Sequence, residues 1–580
     1  MTVDSAPVRT DAHAVLALAV PALGALVAEP LFLLADSAIV GRLGTVPLAG
    51  LGVAAGLLTA AVSTFVFLAY GTTAAVARRM GAGERTAALR HGVDGLWLAL
   101  ILGIALAAAA VPAAPWAVAA FSPPPDVAEQ AVIYLRWALP GVPAMLVVLA
   151  ATGVLRGLLD TRTPLVVATV GAVLNALLNL VLVHGAQLGI AGSAIGTATT
   201  QLLMAVAVGA VVVRGARAAG APLRPDLPGI RGAARHGVGL LIRTLALRVA
   251  ILVTTWAAAS AGVVQLAAHQ VVATVWGLLA LALDAVAIAA QALTGAALGA
   301  GDVHGVRTAT ARMVRWGVAA AAVLGLLSGL AAPVLAPAFS ADPAVRAAIV
   351  SGLAVVGVLL PLGGYVFVLD GVLIGAGDGT YLAVGGVVQT ALYAPLALLI
   401  GWFGPPGTAR LVLLWISFAG GWMLLRALFL GLRARSAAWL VTGAVRSSGD
   451  RAIGRRSARG QLDGLRRRKP DQHHPVGDDR AGDIGAGQEQ AGPPIPDEAP
   501  PHRPGDDDCE PEVLLDQQQT ESAGDGEPAA ALQQAQAQPG RGRELSFAPG
   551  HAGCRRLGQP ATTLSATFAC TSGCRRTSTL

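Results

Sequence analysis

Asp36 has only apolar or small neighbours along a long apolar stretch. An ionised side chain at the centre of a membrane helix costs roughly 2.5–3.5 kcal/mol on insertion scales. Binding a proton removes that cost, so a carboxylate placed there is a candidate proton carrier. Glu29 lies seven residues earlier, two turns along the same face if the segment is helical. It reads either as a second ionisable group of the same site or as a structural residue at a helix bend. Asn175 and Asn179 are four apart and share a helix face. With Thr197 they offer oxygen ligands and hydrogen bonds, either around Asp36 or simply between helices.

A second polar set, Arg243, Arg248, Asp284, Gln291 and Asp370, falls in the later apolar stretches. Charges of both signs are not left unpaired in lipid, so Arg243 is expected to contact Asp284 or Asp370, as a structural salt bridge before any role in coupling. Asp284 and Gln291 share a helix face. His184 and His269 fall near expected helix ends and read as interfacial or packing residues.

The chemistry these stretches exclude is equally informative. They contain no H-E-x-x-H, no G-x-S-x-G and no cysteine; Cys509, Cys554, Cys570 and Cys574 all lie near the C-terminus. No catalytic residue, disulfide framework or metal site is therefore assigned, and a membrane enzyme is set aside.

The elements that must position the polar residues follow from composition. The chain has 580 residues, 54% apolar and 13% charged, with a mean hydropathy of +0.64. Soluble domains carry about 25% charged residues. Apolar spans recur near 14–40, 46–77, 92–120, 131–158, 164–184, 189–214, 236–261, 265–298, 309–338, 345–375, 380–401 and 408–432. Each is long enough to cross a bilayer core about 30 Å thick as a helix. The first is too long for a signal-peptide core of about 7–15 residues, so it is expected to stay as a membrane helix. The net charge of +7 does not indicate a nucleic-acid partner. Arginine gathers in alternate connections (Arg78, Arg79, Arg85, Arg90; Arg156, Arg162; Arg214 to Arg235; Arg307, Arg312, Arg315), whereas the others hold one or none. Cytoplasmic loops collect basic residues, so both termini are expected on the cytoplasmic side of the cell (inner) membrane.

An internal repeat organises these spans. Gly81 to Glu84 (GAGE) matches Gly299 to Asp302 (GAGD), an offset of 302 − 84 = 218. Asp160 and Asp378, Pro143 and Pro361, and Gly44 with Leu48 against Gly262 with Leu266 keep the same offset. The expected architecture is an all-α integral membrane protein of about twelve transmembrane helices. They form two parallel six-helix repeats, 1–225 and 226–442, with substrate handled near the midplane between them. Residues 443–580 are rich in Arg, Asp, Gly, Pro and Gln and are expected to be a disordered tail. Heavy use of Ala, Gly, Arg and Val beside a single lysine, Lys469, points to GC-rich coding. A shifted reading frame is then a hypothesis for the tail's origin, which resequencing the end of the coding region tests.

The motifs now support a resemblance. Glu29 to Gly44 (EPLFLLADSAIVGRLG), Leu266 to Gln270 (LAAHQ), Asp284 to Gly295 (DAVAIAAQALTG) and Asp370 to Asp378 (DGVLIGAGD) resemble the first, eighth and tenth helices of the multidrug and toxic compound extrusion (MATE) antiporters. The detail is nearest the bacterial DinF-like branch, over about residues 10–440. The resemblance implies a V-shaped fold of two lobes. It implies efflux of amphipathic, often cationic small molecules driven by inward H⁺ or Na⁺, with no other cofactor, and a monomer in the lipid bilayer. It places the N-lobe carboxylate at Asp36 and a helix-bending proline at Pro21. It also exposes a departure, because the DinF-like pattern has Asp where this chain has Asn179. A lipid-linked or other amphiphile flippase of the wider superfamily is the alternative, kept open by Arg136, Arg243 and Arg248. A major-facilitator transporter is disfavoured, since Arg78 to Arg85 (RRMGAGER) lacks that family's loop pattern.

Overall fold

The computed structural model describes residues 12–443. The described residues belong to one compact unit, and the expectations for the tail from 444 onward lie outside them. Twelve helices within this range are long and apolar enough to cross a membrane. They are α1 (His13–Gly41), α2 (Thr45–Gly81), α3 (Arg85–Ala119), α4 (Pro125–Gly157), α5 (Arg162–Gly185), α6 (Gly189–Ala218), α7 (Leu227–Ser260), α8 (Val263–Gly299), α9 (Val303–Phe339), α10 (Pro343–Gly375), α11 (Gly379–Phe403) and α12 (Thr408–Arg435).

The helix boundaries follow from local chemistry. Proline opens α4 and α10 at a position where no backbone donor is needed. Asp302 caps α9 by accepting from the Gly305 N–H at 2.7 Å, and Asp342 caps α10 by accepting from the Ala344 N–H at 2.8 Å. Val323, Leu326, Leu327, Leu330 and Val334 are exposed along α9, as Val166, Val170, Val173 and Leu177 are along α5. Lipid accepts such faces because every backbone group is bonded within its own helix.

The two groups of six helices repeat one packing plan. In the first, α4 lies against α2, α3 and α6, and α1 against α5. In the second, α10 lies against α8, α9 and α12, and α7 against α11. The backbone repeats as well: Gly44 and Gly262, Gly83 and Gly301, Leu159 and Gly377, and Gly189 and Gly407 all take positive φ, each pair separated by 218 residues. Leu159 is the non-glycine exception, at φ 63°. A left-handed conformation costs a residue with a Cβ about 1–2 kcal/mol, part of which glycine loses again as chain entropy. Leu159→Gly is therefore expected to stabilise the protein by about 0.5–1 kcal/mol, read as a higher melting temperature in detergent; a lower one would contradict this.

The two groups meet along α2 and α8. A Cβ on Gly81 would fall on the Ala296 backbone, and one on Gly299 on the Arg78 carbonyl. Small residues thus let the two backbones touch, as in other tight membrane helix pairs. Arg78 and Arg79, counted above as connection charges, are instead buried in the last turn of α2. The Arg78 guanidinium donates to the Ala376 carbonyl at 2.6 Å, to that of Val441, and to that of Gly443 at 3.1 Å. The Gly443 N–H donates to the Leu298 carbonyl at 3.0 Å. The segment after α12 is thereby tied to both six-helix groups, which is why this arginine is withdrawn from the surface.

Candidate functional site

Asp36 is 1% exposed and receives hydrogen bonds from three other helices. Asn179 on α5 donates its amide N–H to Oδ1 at 2.9 Å, Ser193 on α6 donates its hydroxyl to the same oxygen, and Tyr134 on α4 donates to Oδ2 at 3.4 Å. Asn179 also donates to Asn175 Oδ1 at 3.2 Å, and Asn175 donates to Thr197 Oγ1 at 3.3 Å. Asp36, Asn175, Asn179 and Thr197 therefore form one buried network. The four-residue spacing of the asparagines on α5 puts both amides on its α1-facing side. Ser193 and Thr197 repeat that spacing on α6, and this pairing was a readable signal that the sequence analysis passed over. Tyr134 carried none beyond being an aromatic in an apolar span.

Asn179 makes a particular kind of site. Two carboxylates at this spacing would have to share a proton, whereas the amide donates a hydrogen bond to Asp36 directly. Its own carbonyl oxygen is buried without a hydrogen-bond partner among the described residues. Gly196 lies beside it, and a Cβ there would fall on that oxygen. The network thus holds one carboxylate and one unused acceptor.

Glu29 stands apart. It lines a cavity of about 260 Å³ bounded by α1, α2, α4, α5, α6 and Asp284 of α8. Its side chain is exposed to that space and makes no hydrogen bond among the described residues. Tyr134 and Thr197 belong to both structures: they line the cavity and they hold the Asp36 network. Pro21 lies inside α1, as does Pro30 next to Glu29. Each proline removes one backbone donor from the helix on which Asp36 is carried.

The second polar set separates into two. Asp370 on α10 accepts from Arg243 of α7, with Nε to Oδ1 at 3.0 Å, and from Arg426 of α12 at 3.3 Å. Of the two partners open to Arg243, the structure pairs it with Asp370. Arg426, near the charged end of the last span, also lies over the Trp422 ring at 5.2 Å. Asp284 and Gln291 do use one face of α8, and both reach Tyr70 of α2. The Tyr70 hydroxyl donates to Asp284 Oδ2 at 3.2 Å, and Gln291 donates to the Tyr70 carbonyl at 2.6 Å. They bridge the two helix groups instead of completing a cluster with Arg243. Arg248 donates to Ser63 Oγ, His184 contacts the Ile39 carbonyl at 3.3 Å, and His269 contacts Thr255 Oγ1 at 3.2 Å. Among the described residues no three His, Cys, Asp or Glu side chains gather where a metal ion could be held.

Comparison with known proteins gives this geometry its family. The MatE family model matches residues 21–181 and 240–399. Protein DETOXIFICATION 44, chloroplastic, of Arabidopsis thaliana is 31% identical over 391 residues, covering 64% of this chain and 74% of that protein. DNA damage-inducible protein F of Escherichia coli (strain K12) is 27% identical over 393 residues, covering 67% and 85%. A crystal structure of MATE in the bent conformation superposes with a TM-score of 0.67 at 22% identity, covering 73% of this chain and 95% of that one, a likeness of fold. With the two matched regions falling one in each six-helix group, the chain belongs to the MatE family of membrane transporters.

Proposed function

We propose that this transporter is a cation-coupled antiporter that exports amphipathic, cationic small molecules by alternating access, with both termini cytoplasmic and H⁺ as the coupling ion. One observation carries the reading: Tyr134 and Thr197 serve the cavity and the buried Asp36 network at once. A molecule entering the cavity must press on side chains that hold the carboxylate. A proton bound at Asp36 turns an acceptor into a donor, and the unused Asn179 carbonyl can receive it once that amide turns over. The Asn179 bond is then reversed and those from Ser193 and Tyr134 are weakened, because a neutral carboxyl accepts less strongly than a carboxylate, so α1 is held less firmly. A helix interrupted at Pro21 and Pro30 is free to bend there. Proton binding and access to the cavity thereby become exclusive alternatives, which is the requirement for exchange. The single carboxylate favours H⁺ over Na⁺, because a proton neutralises it without needing a shell of several oxygens.

The test is efflux of a cationic rhodamine from proteoliposomes under an imposed pH gradient or an imposed Na⁺ gradient. The pH gradient is expected to drive the dye and the Na⁺ gradient to leave it unmoved. Movement under Na⁺ alone would reverse the ion assignment. Movement under neither would remove the antiport reading and return a lipid-linked flippase to the front.

A further inference from the structure

Arg156, in the last turn of α4, was counted with the connection charges, yet it is 7% exposed and lines the cavity. Its guanidinium forms no hydrogen bond and no ion pair among the described residues, and Asp284 and Tyr70 line the same cavity. Asp284 is already engaged by the Tyr70 hydroxyl at 3.2 Å. A buried guanidinium with five unused donors is costly to keep in a membrane protein. Other buried arginines in the described residues are bonded: Arg78 donates from both terminal nitrogens to carbonyls, though its Nε has no partner, and Arg243 and Arg426 donate to Asp370. Arg156 has no such bond and faces the space proposed for a substrate, and Glu29 lines the same space with no hydrogen bond among the described residues.

We infer that Arg156 is an anion-recognising residue of the cavity. The preferred substrates are then amphipathic zwitterions, whose carboxylate or comparable acid group meets Arg156 while their cationic end meets Glu29. The inference rests on the cavity being the substrate site, as proposed above, and sets the preference, among molecules with a cationic end, for those that also carry an acid group. Arginine suits this task because its planar fork binds a carboxylate through two parallel hydrogen bonds. A purely cationic molecule would leave the guanidinium unsatisfied and place like charge beside it.

Binding to the full chain in lipid nanodiscs, followed by fluorescence anisotropy with no ion gradient, tests this with a matched dye pair. Rhodamine 110 carries a free carboxylate, and rhodamine 123 is its methyl ester. The wild type is expected to bind rhodamine 110 at least about tenfold more tightly, the scale of one hydrogen bond to a charged group. Arg156→Gln should remove that preference by weakening rhodamine 110 while leaving rhodamine 123 unchanged or tighter, and Arg156→Lys should keep part of it. A wild type with no preference for the free acid overturns the inference. So does an Arg156→Gln variant that loses affinity for both dyes equally, which is the signature of a structural arginine. Because the assay needs no gradient, a preserved preference beside absent gradient-driven efflux would remove the antiport reading and leave the Arg156 assignment standing. Binding of neither dye would overturn both.

Discussion

Asp370→Ala is expected to destabilise the protein by about 3–5 kcal/mol, the range found when one partner of a buried ion pair is removed. The reason lies in the charge arrangement. Asp370 is the carboxylate that both Arg243 and Arg426 contact, and all three residues are less than a tenth exposed. Deleting it leaves two guanidinium groups facing each other in a lipid-embedded helix packing. Thermal unfolding in detergent, followed on a sizing column, should show a large drop in melting temperature. Replacing Arg243, Asp370 and Arg426 together by Met, Leu and Met should recover most of the loss, because an apolar packing of similar volume carries no desolvation cost. If Asp370→Ala melts like the wild type, the cluster does not hold α7, α10 and α12 together. If the triple replacement is as unstable as the single one, shape and not charge is what matters there.

Asp36→Asn is expected to leave folding intact and to abolish gradient-driven export, lowering it by about a hundredfold or more, in line with losing one essential protonatable group. Asparagine keeps an oxygen for the Asn179 and Ser193 donors, so the network can persist without a titratable member. The matching control is Asn175→Ala. It removes a hydrogen bond one step from the carboxylate and should weaken transport severalfold at most, since interhelical hydrogen bonds average about 0.6 kcal/mol. A fully active Asp36→Asn variant would transfer the coupling role elsewhere, with Glu29 the first candidate because it is the α1 carboxylate that lines the cavity.

The parts of this molecule that were readable from sequence are those governed by period and by charge cost. Helices must close their own backbone hydrogen bonds in lipid, so uninterrupted apolar length located all twelve spans, though α3 and α7 begin seven and nine residues before the expected starts at 92 and 236 because their first turns carry arginines. Asp36 announced itself because an ionisable group is rare in such a setting, and the four-residue step brought Asn175 and Asn179 to its side. Ser193 and Tyr134 went unread for the opposite reason: a hydroxyl costs little in a membrane helix and is common there. The arginines were misplaced by rule. Arg78, Arg79 and Arg156 stand at helix ends, where side chains ordinarily reach for water. Here the ends are covered by the contact between the two helix groups or open onto the cavity, so the charges turn inward. Arg426 was hidden in the same way, in the last span close to two further arginines. The parting of Asp284 from Asp370 depends on how α8 meets α2, a long-range contact that no local spacing encodes.

Under the proposed exchange, substrate in the cavity and a proton on Asp36 exclude each other. This exclusion is tested most directly by proton release from purified protein in a weakly buffered solution when rhodamine 110 or rhodamine 123 is added. The wild type is expected to release about one proton per dye bound, and Asp36→Asn none at saturating dye. Dye binding without proton release in the wild type, or equal release from the Asp36→Asn variant, would contradict it.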